Sequence, residues 1–263
     1  MRRFHTGIAG LACIAVSLVG CKNSDSAAST IPTANASVVG LWTGTDTDNP
    51  TLTLNAVIDS TGEMIVIRSD GVQFVGNLQI SGDTLATALD GYANFGTSFS
   101  DRSIYGIGTL DGTVTPGTSI AATVSFTTNS GTSIPGSWSF TPGALTSVGS
   151  SLTTVTGNFT DDATGATVSI TGSGAMTSQD ATTGCVLNGT IGTGDTTIDE
   201  YQVSYTLESC TGKYAVLNGV KFSGMGYMNF STTPATLTYA VAGSSTTGST
   251  TSNFGIVSNL TAP

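Results

Sequence analysis

The sequence predicts an all-β protein made of two tandem antiparallel domains, each a β-barrel or β-sandwich of about 105 residues. Three observations carry this expectation. Apolar and polar residues alternate with a period of two in many runs, as they do in strands with one buried and one wet face. Turn-forming Gly, Asn and Asp punctuate these runs. No window of helical length carries a 3.6-residue apolar period.

The first domain is assigned to residues 38–145. Gly40-Leu41-Trp42-Thr43-Gly44 opens it, and residues 51–57 and 121–126 alternate as strands. It ends near Gly136-Ser137-Trp138-Ser139-Phe140, and residues 141–151 read as a link. The second domain is assigned to residues 146–263, with Tyr201-Gln202-Val203-Ser204-Tyr205-Thr206-Leu207 as its clearest strand. Turns are expected at Asp70-Gly71, Asp90-Gly91 and Asp111-Gly112, where the pair type suits a hairpin. Strands of about five to seven residues are shorter than the ~9–11 that cross a bilayer, so the domains are expected to be soluble.

The two halves resemble each other at an offset of about 113 to 117 residues. Residues 41–44 match 157–160, 51–57 match 166–170, and 71–77 match 184–189. Further on, 106–110 match 222–226, and 123–126 match 236–239. A tandem duplication accounts for this; shared Gly/Thr-rich strand composition is the alternative reading.

The N-terminus has the three parts of an export signal: basic Met1-Arg2-Arg3, an apolar run from about Gly7 to Val19, and a small residue before the cut. That residue, Gly20, is followed at once by cysteine, and Leu18-Val19-Gly20-Cys21 resembles the lipobox of bacterial lipoproteins. The resemblance implies removal of residues 1–20, acylation (palmitate among the chains) of Cys21, and a mature protein held on a membrane. An unprocessed apolar segment with an ordinary cysteine is the alternative, but the run falls short of the ~20 residues of a spanning helix. Lys22 follows the anchor where an Asp tends to retain lipoproteins at the inner membrane, so the resemblance implies the outer membrane. Residues 21–37 are rich in Ser, Ala, Thr and Asn without apolar periodicity, and read as a flexible tether.

Processing sharpens what the composition excludes. Removing residues 1–20 takes away Arg2 and Arg3 but no acid. Seven basic residues become five against seventeen acidic ones, and the formal charge moves from −10 to about −12. Phosphate backbones repel such a chain, so nucleic acid is not an expected partner. The one histidine, His5, leaves with the signal, which removes every imidazole-based triad, base or metal ligand. No nucleophile elbow, Walker loop or dinucleotide fingerprint is present; Gly172-Ser173-Gly174 lacks the third glycine and the βαβ setting. Of four cysteines, Cys13 is removed and Cys21 takes lipid, leaving Cys185 and Cys210. The oxidising space that the lipoprotein resemblance implies favours a structural disulfide between them over a redox pair, which would be closer in sequence.

Carboxylates are then the remaining acid–base candidates. Asp161-Asp162 and Asp199-Glu200 are adjacent pairs, and strand neighbours point to opposite faces. Solvated turns, where Asp bonds its own backbone, are the expected setting for both. Asp46-Thr47-Asp48-Asn49 gathers oxygens that suit a hard cation, but it lacks the glycine and downstream Glu of an EF-hand and reads as a turn before Pro50. Tyr92, Phe95, Phe99, Tyr105, Tyr214, Tyr227 and Phe230 are candidates to stack on a ligand near a barrel mouth, against ordinary packing. Met225 and Met228 are expected on opposite faces of one strand. Gly40-Leu41-Trp42-Thr43-Gly44 is similar to the Gly-x-Trp opening of lipocalin- and avidin-like barrels, which implies an end-plugging Trp and bears on architecture alone.

The sequence thus predicts a lipid-anchored envelope protein with no catalytic centre and no cofactor, in a structural or partner-binding role. The alternative is a barrel that binds a small ligand or glycan. A carboxylate-only glycan hydrolase ranks third. Expected partners are the membrane, through the lipid, and another envelope protein or a glycan.

Overall fold

The computed structural model describes residues 38–145 and 148–263. The signal segment 1–20, Cys21 and the tether 21–37 lie outside the described residues, as do Thr146 and Ser147 of the predicted link.

Both domains are closed antiparallel barrels of eight strand positions, which resolves the barrel-or-sandwich alternative. The first contains β1 (Gly40–Asp46), β2 (Thr53–Ile58), β3 (Glu63–Arg68), β4 (Gln73–Asn77), β5 (Gln79–Ser81), β6 (Thr84–Tyr92), β7 (Tyr105–Thr115), β8 (Ser119–Thr128) and β9 (Ser133–Pro142). Strands β4 and β5 are one strand position broken at Leu78. Gly76 lies opposite Leu89 and Gln79 opposite Ala86, so the register against β6 continues across the break. There the Thr87 hydroxyl replaces the ladder, donating to the Asn77 carbonyl at 2.8 Å and accepting from its N–H at 3.0 Å. Pairing of β9 with β1 closes the ring.

A helical turn, α1 (Leu152–Val155), leads into the second barrel: β10 (Gly157–Asp161), β11 (Thr167–Ile170), β12 (Ala175–Gln179), β13 (Val186–Thr193), β14 (Tyr201–Glu208), β15 (Lys221–Asn229), β16 (Thr236–Thr247) and β17 (Thr250–Thr261). A 3₁₀ segment, Gly212–Leu217, sits between β14 and β15. The closing seam is short: β10 and β17 pair at Thr160–Thr261 and Asp161–Leu260. Side chains reinforce it, with the Ser258 hydroxyl on Asp161 and the Thr261 hydroxyl on Asp162.

The five matched segment pairs fall on equivalent ring positions: β1 with β10, β2 with β11, β4 with β13, β7 with β15 and β8 with β16. The alternation works as the period-two argument requires. In β8, Ile120, Ala122, Val124 and Phe126 face inward, while Ala121, Thr123, Ser125 and Thr127 face out. An apolar inside with a Thr/Ser outside inverts the pattern of a lipid-facing barrel.

Three expectations need correction. Strand length does not separate these barrels from membrane-spanning ones, because β7, β8, β9, β16 and β17 are 10 to 12 residues long; only the outward chemistry does. Asp90-Gly91 and Asp111-Gly112 are not turns but lie inside β6 and β7. Those glycines serve close approach: a Cβ on Gly91 would run into the Phe126 ring, and one on Gly112 into the backbone of Ala121 and Ala122. The third correction concerns the link, since Thr141 and Pro142 complete β9.

The barrels belong to one compact unit and pack through their outer faces. Leu41, Val57, Ile65 and Ile67 of the first meet Met225, Tyr227 and Ala240 of the second. Met225 and Tyr227 are on that outer face, whereas Phe222 and Met228 turn into the second core, as alternation along β15 expects. Gln73 crosses the interface, its amide donating to the Val241 carbonyl at 2.7 Å.

Candidate functional site

The interiors of the two barrels differ. Trp42, Phe74, Phe126, Trp138 and Phe140 fill the first, with Phe74 edge-on to Phe126 and to Trp138 at 5.5 and 5.0 Å. The Trp42 indole N–H donates to the Val38 carbonyl at 2.7 Å, tying down the entering chain. At the opposite end, Phe99 of the β6–β7 loop inserts over Phe126 at 5.3 Å between ring centres. A void of only about 10 Å³ remains beside Met64 and Leu110.

In the second barrel, one end is closed by α1: Val155 is fully buried, and the Tyr201 hydroxyl accepts from the Ser151 N–H at 3.2 Å. The other end stays open. An opening of about 230 Å³ runs inward between the β10–β11 and β12–β13 turns and the loop after β14. Its apolar wall includes Val168, Leu187, Leu207, Leu217 and Ile256. Tyr205 and Tyr239 supply its polar depth. The two hydroxyls bond to each other, Ser258 bonds Tyr239, and the Ser258 hydroxyl donates to Asp161. Burial raises both phenols, Tyr239 to about 12, so both stay neutral donors.

The rim is stapled. Cys185 and Cys210 form a disulfide joining the loop before β13 to the loop after β14. Thr211 donates through its N–H and its hydroxyl to the Thr183 carbonyl, at 2.8 and 3.0 Å. The Asn218 side chain accepts from the Cys210 N–H at 2.7 Å and donates to its carbonyl at 3.0 Å. These bonds fix the 3₁₀ segment that brings Tyr214 and Leu217 over the opening. Asp180 sits on the same rim. Burial raises its carboxyl, but bonds from the Thr183 hydroxyl and the Thr182 and Thr183 backbone outweigh burial and hold it below its ordinary value.

The first barrel supplies part of this wall. Its β6–β7 loop crosses to β17, where the Phe95 N–H donates to the Gly255 carbonyl at 2.8 Å and the Asn94 side chain accepts from the Val257 N–H at 3.0 Å. Gly255 permits the approach, since a Cβ there would strike Gln73 and Tyr92. Phe95 then stands against Tyr214 and Phe254, with ring centres 5.5 and 6.2 Å away. Phe95 lines both the opening and a second groove of about 390 Å³ that contains Ile104, Lys213, Val216 and Phe254.

Of the seven aromatic candidates, the structure brings Phe95 and Tyr214 together at this mouth. Phe99 is core of the first barrel, Tyr92 and Tyr105 stack on each other outside it, Tyr227 lies between the barrels, and Phe230 is exposed. Tyr205 and Tyr239 escaped sequence reasoning because alternation marks them only as inward-facing. Asp180 had no signal beyond a turn.

The acidic pairs separate as strand geometry requires: Asp161 lines the opening, whereas Asp162 lines a groove between the barrels. The solvated-turn expectation fails for Asp199 and Glu200, each 0% exposed. Neither lines the opening. Asp199 accepts the Met228 N–H with both oxygens at 3.1 Å, and burial pushes its pKa up to about 7. Glu200 accepts the Asp195 N–H at 3.0 Å through Oε2, while its buried Oε1 has no partner; burial raises it, with Asp59 adding to the shift. In the Asp46 loop, Asp46 is buried and accepts the Asp48 N–H at 3.1 Å, an Asx turn, while Asp48 and Asn49 are exposed. Among the described residues no three acidic, cysteine or histidine side chains converge as metal ligands.

The fold and site together define a double-barrel protein with one solid barrel and one open-mouthed barrel. No family model, curated protein or solved structure matches the chain.

Proposed function

We propose that this chain is a lipid-anchored envelope protein, held through Cys21 at the outer membrane, whose second barrel binds a small ligand in its open mouth. The supporting observation is the contrast between two barrels of one topology. The first is packed solid, while the second keeps an apolar opening of about 230 Å³ with convergent tyrosine hydroxyls at its base. Concave apolar sites with a few placed polar groups are what small ligands occupy. This reading moves ligand binding ahead of a purely structural role, with the solid barrel as the supporting body.

A hydrolytic role has weaker support. A glycan hydrolase needs one carboxyl kept protonated beside the scissile bond. In the opening, Asp180 is held low, and Asp161 already accepts from Ala163, Thr164 and Ser258. The three carboxyls that are raised, Glu63, Asp199 and Glu200, lie away from it.

A second reading rests on the neighbouring groove. Ile104 and Val216 on its wall are 40% and 56% exposed, which suits contact with an envelope partner beside the ligand site.

The test is native mass spectrometry of the lipidated protein extracted from its own membrane in mild detergent. The expected spectrum shows an added mass beyond the acyl chains. That mass should be lost in Ala166→Trp, which places an indole at the rim. A wild-type mass equal to protein plus acyl chains would overturn ligand binding.

A further inference from the structure

The walls of the opening also bear on the class of ligand. Three tyrosines and a phenylalanine (Tyr205, Tyr214, Tyr239 and Phe95) line the opening together with aliphatic residues and the neutral polar Asn94, Thr164, Ser178, Thr183 and Ser258. Two carboxylates, Asp161 and Asp180, stand on its rim, and among the described residues no Lys or Arg lines it. Lys213 belongs to the neighbouring groove, with its Nζ 5.0 Å from the centre of the Tyr214 ring. That contact shows one face of the Tyr214 ring holding a cation, and the Lys213 charge offsets part of the field of the two carboxylates. The mature chain carries a formal charge of about −12, so the long-range field adds to the local one.

Aromatic faces attract cations through their quadrupole, and Arg-free, Lys-free acidic rims repel anionic head groups. The size is equally restrictive. At about 30 Å³ per water-sized group, the opening holds roughly eight such groups, a short chain or a single ring. We propose that the open mouth of the second barrel selects a small cationic amphiphile, an apolar body carrying an ammonium group, over neutral and anionic molecules with the same body. This rests on the ligand-binding reading above and adds to it a charge preference. The apolar body enters between Val168, Leu187 and Leu207, and the ammonium group remains at the rim between Asp161, Asp180 and the Tyr214 ring.

The experiment uses the full lipidated chain in mild detergent and three probes with one tail: octyltrimethylammonium, octanol and octanoate. Both tryptophans, Trp42 and Trp138, are buried in the first barrel, so tyrosine emission of the second barrel and calorimetry are the readouts. The expected order is octyltrimethylammonium about tenfold tighter than octanol, with octanoate weaker still. The gap should shrink as salt is raised, because Asp161 is partly exposed, while the buried Asp180 is screened less. Asp180→Asn should weaken the ammonium probe several-fold more than octanol, with the melting temperature of the variant reporting separately that it is folded. Equal binding of the three probes, or tightest binding of octanoate, would overturn the charge preference while leaving the ligand site standing. Binding of none of them, with Ala166→Trp indistinguishable from wild type, would overturn the ligand site itself.

Discussion

Asp199 and Glu200 are the residues whose setting the sequence conceals most thoroughly. An acidic pair beside a turn reads as solvated, yet both are fully enclosed, Asp199 against the Met228 N–H and Glu200 against Gly194 and Asp195. Burial in low dielectric disfavours the charged form, which is why Asp199 titrates near 7 rather than near 3.8. The consequence for stability has a definite sign. Between about 4 and 7 the folded chain keeps this proton and the unfolded chain releases it, so raising the pH through that window favours unfolding. Stability is therefore expected to fall from about pH 4 and to level off above about pH 7. Asp199→Asn should keep an acceptor for the Met228 N–H and flatten the decline. At pH 8 it should stabilise the fold by roughly 2 kcal/mol, after discounting for solvent screening. Melting curves of both proteins from pH 4 to 8 check this; parallel curves would refute it.

At the scale of elements, one connection accounts for the difference between the barrels. The loop between the fifth and sixth ring positions is β6–β7 in the first barrel and β14–β15 in the second. In the first it folds Phe99 into the mouth and sends Phe95 across to the neighbour. In the second it is pulled to the side by the disulfide and holds Tyr214 and Leu217 at the edge. Strand positions were legible in the sequence because inward residues repeat every second place, and even the internal repeat aligned equivalent strands. Strand lengths and the Asp-Gly turns were misread for one physical reason. A glycine inside a strand leaves room for a bulky partner such as Phe126 or Tyr205, and this looks the same in sequence as a glycine that bends the chain. The mouth was half legible: Cys185 and Cys210 could be paired by elimination, but which loop stays open depends on a docking between barrels that no local pattern encodes. The staple itself is testable. Replacing Cys185 and Cys210 by Ser releases a bridge of sequence separation 25, worth roughly 3 kcal/mol by loop-closure entropy. Urea unfolding should show a lowered midpoint with the first barrel's tryptophan environment unchanged in the folded state. An unmoved midpoint would mean that Asn218 and Thr211 alone carry the rim.

For the whole molecule, the proposed membrane attachment could run through the lipid or through the barrels, since strand length leaves both open. Strands of up to 12 residues could span a bilayer if their outer faces were apolar. The faces not used between the barrels are instead mostly Thr, Ser and Asp, with Ile107 of β7 standing out from them at 60% exposure. Thr109, Asp111 and Thr113 point outward from β7, and Thr123, Ser125 and Thr127 from β8. The β16–β17 hairpin extends past its last pairing with β15 at Gly243 as a ribbon of Ser, Thr and Gly. These surfaces suit water, so under the proposed lipoprotein reading the anchor is the acylated Cys21, where more than one chain would hold firmly. A chain beginning at Lys22 and exported behind a cleavable, non-lipid signal should then appear in the soluble fraction. Its melting temperature should match that of the detergent-extracted native protein, because no barrel surface depends on lipid. The native protein should incorporate labelled palmitate and should resist extraction by high salt. If the truncated chain still sediments with membranes, the barrels carry an attachment of their own, and the groove beside Ile104 and Val216 becomes the surface to mutate.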